Sequence, residues 1–342
     1  MLICSIIKNC RSFSTGAKLL RPIGNVHQSS DVNIFDLFST KRLQKERAAR
    51  RQDVETYDYL KEEIGFRLSD RLFDIKKELK NAVDLGGGRG YVSKNILAET
   101  VENLKIYDIS ETMLEQATGT PGVNIDKQLL TSEYLDLPEN SQDVVISNLT
   151  LHWVNDLPGM FRSINSCLRP DGVLLASLFG GETLYELRSA LHLAEQERMG
   201  GLAPHISPFT QIRDIGGLLN SSGFTMLTID TDEMVIGYPT MFELLHDLKG
   251  MGESNAAFNR PLTLSREVLL SASAIYQEMY KKTNPETKEE GVHATFQIIY
   301  LVGWKPHESQ QQPAERGSAN VSLKDLGKII TEGRSNKKPE NV

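Results

Sequence analysis

The run Val83-Asp84-Leu85-Gly86-Gly87-Gly88-Arg89-Gly90 constrains this chain more than any other stretch. It leaves a short apolar segment and enters a predicted helix over 92–99. Glycines at such a junction let the backbone turn sharply and let a ligand approach without a Cβ in the way. The dinucleotide-binding version spaces them Gly-x-Gly-x-x-Gly. Here they fall as Gly86-x-Gly88-x-Gly90, with Asp84 just upstream. That spacing suits a ligand without phosphate, whose ammonium Asp84 receives directly or through water. At the end of the next strand stands Tyr107-Asp108-Ile109-Ser110. A carboxylate in that place accepts both hydroxyls of a ribose. Ser110 is set to cap the following helix, and Met113 points back toward the place of an adenine. The plain alternative is a tight turn in a doubly wound domain that binds no nucleotide. On the ligand reading, Gly88→Asp abolishes binding and leaves the melting temperature of the free protein nearly unchanged.

The rest of the body agrees with an α/β, doubly wound, Rossmann-like sheet. Apolar runs at 81–85, 104–108, 123–127, 143–148 and 172–179 alternate with helical stretches such as 92–99 and 111–117. Such alternation implies a mostly parallel sheet with helices on both faces. Two later runs, 226–231 and 296–302, complete seven strands. The segments 182–203 and 239–282 read as helical insertions, which commonly cover a ligand site.

The two ends differ from this body. The first 30 residues hold Lys8, Arg11, Lys18 and Arg21, six Ser or Thr, and no Asp or Glu. That is the composition of a mitochondrial transit peptide, and Arg11-Ser12-Phe13-Ser14 resembles a matrix-peptidase site. Losing this segment takes the formal charge from −7 to −11, which argues against nucleic acid as the main partner. Cys167 would then be the remaining cysteine, so an internal disulfide is excluded. The chain thus divides into a presequence at 1–30, a ligand-binding domain at 31–306 and a polar, largely disordered tail at 307–342.

On these motifs the chain resembles the class I S-adenosylmethionine-dependent methyltransferases, and the resemblance implies S-adenosyl-L-methionine as cofactor. Leu130-Thr131-Ser132-Glu133 looks like that family's adenine-side loop. The family has Asp where Thr131 stands, so Ser132 and Glu133 are the substitute contacts. Ser147-Asn148-Leu149-Thr150-Leu151-His152-Trp153 looks like the strand exit that borders the sulfonium. The cofactor set is therefore Asp84, Gly86, Gly88, Gly90, Asp108, Ile109, Met113, Ser132, Glu133 and Asn148. Longer matches are similar to the malonyl-acyl-carrier methyltransferase branch; they include Phe179-Gly180-Gly181-Glu182 and Phe242-Glu243-Leu244-Leu245-His246. More similar still is the assembly-factor-five family of mitochondrial respiratory complex I, with matches such as Pro204-His205-Ile206-Ser207-Pro208 and Gly250-Met251-Gly252-Glu253-Ser254-Asn255. That family is regarded as arginine hydroxylases. The resemblance implies action on an iron–sulfur subunit during early assembly, among other assembly factors, in the matrix at the inner membrane face.

Three chemistries stay open on the residues themselves. Methyl transfer needs little beyond a sulfonium and a nucleophile held in line. Hydroxylation by an iron centre commonly uses two His and a carboxylate; His152, His205 and His246 are candidates, each standing alone, and no metal is expected. The third reading is a non-catalytic assembly chaperone. Candidates for catalysis are His152, Trp153, Glu182 and Tyr185. Glu182 and Glu186 together would suit an arginine side chain, or would simply favour a helix N-terminus. Tyr57 or Tyr59 is expected to close over the cofactor. The basic run Lys41, Arg42, Lys45, Arg47, Arg50 and Arg51 reads as a solvated helix face, or as a contact with acidic lipid or an acidic partner.

Overall fold

The computed structural model describes residues 33–283, 290–311 and 316–318. The expected presequence and most of the expected tail, from 319 onward, lie outside the described residues.

A sheet runs through the described chain in the order β3-β2-β1-β4-β5-β8-β6. Strands β1 (Asn81–Leu85), β2 (Asn103–Asp108), β3 (Asn124–Leu129), β4 (Gln142–Asn148) and β5 (Leu168–Phe179) are parallel to one another. β8 (Glu290–Trp304) pairs antiparallel with both β5 and the edge strand β6 (Thr225–Tyr238), so along this path β8 alone runs against the others. An eighth strand, the three-residue β7 (Lys281–Thr283), pairs with β8 off this path and extends the seven-strand expectation.

Helices cover both faces. On one, α2 (Tyr59–Phe73) buries Leu60, Ile64, Leu68 and Leu72 completely, at the four-residue spacing of one helical stripe. On the other, α4 (Leu157–Cys167) and α6 (Ile212–Ser221) bury Phe161, Ile164, Ile215 and Leu219. The insertions are α5 (Tyr185–Met199), α7 (Met241–Gly250) and α8 (Arg266–Tyr280), which bury Leu187, Leu244 and Tyr276 with the α2 face. A π-helical turn at Leu37–Lys41 leads into α1 (Arg42–Ala49), and α3 is Glu111–Gln116. None of the helices among the described residues is long and apolar enough to cross a membrane.

The predicted helix over 92–99 is not formed. One 3-10 turn, Ser93–Asn95, stands in its place. Ser93 Oγ donates to the Thr118 carbonyl at 2.6 Å and Asn95 Nδ2 to the Tyr91 carbonyl at 3.1 Å. Side chains of this type compete with the helical ladder for backbone groups.

Candidate functional site

The carboxyl ends of β1, β2 and β4 lie level, with Leu85 paired to Tyr107 and Asp84 to Ile146. Ligands of open α/β sheets bind beyond this edge. Here the backbone turns through Gly86, Gly88 and Gly90, whose φ angles are +75°, +56° and +86°. L side chains avoid that region. A Cβ at Gly88 would sit 2.7 Å from the Tyr91 ring, and one at Gly90 2.2 Å from the Thr118 carbonyl oxygen. The glycines thus answer to the protein's own packing as well as to a ligand. The expectation that Gly88→Asp spares the free protein is corrected: the change strains the loop itself.

Asp84, on β1 beneath this loop, is wholly buried, and neither carboxylate oxygen has a hydrogen-bond partner. Burial and then the charge of Asp108 push its pKa up to about 7, with Lys45 pulling the other way. Asp108, also wholly buried, is fully engaged. Its Oδ1 accepts from the Ser110 amide at 2.8 Å, and its Oδ2 from the Gly88 amide at 3.0 Å and from Lys45 Nζ at 2.5 Å. Ser110 also caps α3, accepting from the Met113 amide as expected.

Lys45 lies on α1, one turn after Lys41, so both face the same way. Both are buried. The part of the basic run read as solvated or lipid-facing therefore splits: Lys41 and Lys45 turn inward, while Arg47 and Arg50 stay outside or half-exposed. Lys41 Nζ donates to Glu253 Oε2 at 2.7 Å and stands 3.6 Å from the centroid of the Trp153 ring. Lys61 of α2 binds Glu253 Oε1 at 2.8 Å, and Trp153 Nε1 donates to Oε2 at 3.0 Å. Burial alone would raise the Glu253 pKa, but the two ammonium groups hold it well below the usual carboxylate range. Burial pushes Lys41 down to about 7 despite Glu253.

Two cavities meet at this cluster. The first, of about 30 Å³, is lined by Gly86, Ile109, Met113, Glu133 and Asn148 and by the three lysines 41, 45 and 61. The second, of about 200 Å³, extends toward α5, α7 and the 205–209 segment. Trp153 and Glu253 line both.

The sequence profile described as a methyltransferase domain matches residues 57–229. The chain is 47% identical to the arginine-hydroxylase NDUFAF5, mitochondrial, of Danio rerio, over 92% of this chain and 98% of that one. It is 50% identical to the protein of the same name from Homo sapiens, over 87% and 84%. The chain belongs to the NDUFAF5 arginine-hydroxylase family. It is also similar to a malonyl-[acyl-carrier protein] O-methyltransferase of Halorhodospira halophila, at 27% identity over 79% of this chain and 90% of that one.

Within this NDUFAF5-family chain the other sequence candidates separate. Ser132 is exposed, and its hydroxyl donates to the Tyr134 carbonyl. Glu133 accepts from the Asn155 amide, and Asn148 Nδ2 donates to the Lys61 carbonyl. His152 is buried among Trp153, Phe179 and Phe209 with neither ring nitrogen partnered. Its Nε2 stands 4.0 Å from Glu253, too far for a hydrogen bond. Burial lowers its pKa, which favours the neutral ring.

Glu182 and Tyr185 line neither cavity; both are exposed, and the Tyr185 ring packs on Tyr280. Glu186 is buried, but Thr295 takes both its oxygens. Between Glu182 and Tyr185, Leu184, with a φ of +54°, turns the chain before α5. The expected closure by Tyr57 or Tyr59 is also corrected. Tyr57 binds Asp53 and Tyr59 binds Asp247, away from the first cavity; α1 closes it instead. His205 pairs with Glu195 at 2.6 Å, and His246 lies beside Tyr57. Among the described residues no group of three or more His, Cys, Asp or Glu could hold a metal ion. The sequence places Lys41 and Lys45 only in a basic run and Glu253 only in a motif, and it gives no sign that these three and Lys61 meet. The four-residue spacing of Lys41 and Lys45 was the available signal.

Proposed function

We propose that this chain is an S-adenosylmethionine-binding enzyme that hydroxylates an arginine of an iron–sulfur subunit during early assembly of respiratory complex I. It works in the mitochondrial matrix against the inner membrane. Residues 1–30 serve as its transit peptide, 31–306 as the catalytic domain and 307–342 as a tail. The observation that carries the reading is the near-full-length likeness to proteins named arginine-hydroxylase.

The donor set fits the cofactor chemically. Asp84 is a buried carboxylate with both oxygens free to take an ammonium. Asp108 would hold the ribose hydroxyls in place of Lys45, and Ile109 and Met113 would supply apolar walls for the adenine. When bound, the cofactor would supply a sulfonium. Hydroxylation of a substrate C–H adds one oxygen atom, from an oxidant such as dioxygen with a two-electron reductant. The chain's own part is to hold the arginine, exclude water and keep His152 and Trp153 packed behind the junction. The present cavity of about 30 Å³ holds one or two waters, whereas small-ligand sites run to roughly 300 Å³ or more. Entry of the cofactor therefore moves α1.

Cofactor affinity should depend on pH through Asp84. Its folded pKa is raised to about 7, so the proton it keeps stabilises the free protein below the ordinary carboxylate range. That contribution is lost as pH rises through about 7. A cationic ligand needs the ionised form, so affinity should rise about 10-fold from pH 6 to pH 8. Calorimetry on wild type and Asp84→Asn checks this; the variant should bind weakly and show no such rise.

The function itself is tested by mass spectrometry of the iron–sulfur subunit from cells with and without this chain. The proposal expects one arginine to gain one oxygen atom only when the chain is present. A gain of one methylene unit would mean methyl transfer instead, and no change would mean a chaperone.

A further inference from the structure

Resting on the arginine-hydroxylase reading, we infer that the second cavity is the seat of the substrate's arginine side chain, with Glu253 as the carboxylate that receives its guanidinium.

The two cavities differ in charge. Three lysines line the first. The second has no lysine or arginine in its wall; its ionisable lining groups are Glu253 and His205. His205 is already committed to Glu195. A carboxylate-bearing substrate would find no cation to receive it there. A cation finds one carboxylate and several ring faces.

Trp153, Phe179, Phe209 and Phe296 all line this cavity. Phe179 lies 5.8 Å from Phe209 and 6.0 Å from Phe296 between ring centroids. Aromatic faces attract a guanidinium, which is planar and weakly hydrated, and they also pack the three-carbon stem that carries it. The volume of about 200 Å³ admits one such side chain rather than a peptide segment. The rim residues Ile206, Leu245 and Leu264 are half-buried, so the space is reached from outside.

Glu253 and Trp153 form the wall shared with the glycine-loop cavity. A side chain that enters the second cavity and reaches Glu253 therefore ends beside the cofactor cavity. Glu253 accepts from Lys41, Lys61 and Trp153, which leaves one of the about four lone-pair positions of a carboxylate open. Lys41, whose pKa burial has pushed down to about 7, can give up its proton as the guanidinium arrives. The cluster then exchanges one cation for another and gains no net charge.

The test uses the full chain and three blocked amino-acid probes: N-acetylated methylamides of arginine, citrulline and glutamate. Citrulline keeps the shape of arginine and loses the charge. Emission of Trp153 reports binding; the other tryptophan, Trp304, lies at the far end of the sheet, opposite Val173. The arginine probe should give a saturable change, with the other two weaker by about 10-fold or more. Glu253→Gln should remove that preference, and Ile206→Phe, which fills the cavity from its rim, should remove binding. If Glu253→Gln does not fold, the comparison of arginine with citrulline and the Ile206→Phe variant decide. Equal binding of arginine and citrulline, or undiminished binding in Ile206→Phe, would overturn the assignment. If the subunit still gains oxygen in that case, hydroxylation stands and only the cavity is wrong. Selective arginine binding without any oxygen gain would leave the cavity standing and sink the function.

Discussion

Glu253→Ala should destabilise the protein by about 3–5 kcal/mol, the range found when one partner of a buried ion pair is removed. Both Lys41 and Lys61 depend on this carboxylate, and the three side chains are between 2% and 8% exposed. Without it two ammonium groups remain in a place that already depresses Lys41, and Trp153 Nε1 loses its acceptor. The deficit should shrink in alkali. Lys41 has a folded pKa below its unfolded value, so stability rises with pH between the two as the unfolded chain holds more protons. Replacing Glu253, Lys41 and Lys61 together by apolar residues should recover most of the loss, since a well-packed apolar cluster commonly matches a buried ionic one. Urea unfolding at neutral pH and near pH 10 measures all of this. A Glu253→Ala protein within about 1 kcal/mol of wild type at neutral pH would mean that the cluster is far wetter than described.

The second large effect concerns the cofactor and has two opposite arms. Asp108→Ala should weaken S-adenosylmethionine binding by about 10–150-fold, since a charged acceptor of two hydroxyls is lost. Lys45→Met should tighten it by roughly 10-fold. Lys45 occupies the carboxylate proposed for the ribose, at 2.5 Å. Removing it spares the ligand that competition and leaves Asp108 buried without its cation, which the ligand then relieves. The free Lys45→Met protein should accordingly unfold at lower urea than wild type while binding more tightly. Calorimetry separates the cases. If Lys45→Met weakens binding as Asp108→Ala does, Lys45 is a contact of the bound cofactor rather than the occupant of its place.

The parts of this site that could be read from sequence are those built from neighbours along the chain. Asp84, the three glycines and Asp108 follow one another through β1, a turn and β2, so local spacing carries their geometry, and Ser110 caps α3 for the same reason. The edge strand β6 alternates half-buried and exposed residues along its length, which blurred its limits; the run at 226–231 is its start only. The helix expected at 92–99 fails because Ser93 and Asn95 spend their side chains on backbone carbonyls. The ion cluster is different in kind. Lys41, Lys61 and Glu253 come from the π-helical turn before α1, from α2 and from the turn after α7, and a lysine in a basic run looks the same whether water or a distant glutamate receives it. Glu182 and Tyr185 follow the same logic: nearness to the end of β5 does not give direction, and both side chains stand exposed, one on each side of Leu184 with its positive φ.

On the proposed function, cofactor binding at Asp84 and modification of the substrate arginine belong to one activity. The most direct test is tandem mass spectrometry of the iron–sulfur subunit from cells that carry Asp84→Asn in place of the native chain, at matched abundance. Asparagine keeps the size of the buried side chain and adds no Cβ to the glycine loop, so folding and binding are not confounded as they are at Gly88. The arginine should lose its added oxygen while the variant protein persists. A fully hydroxylated arginine at matched abundance would contradict it.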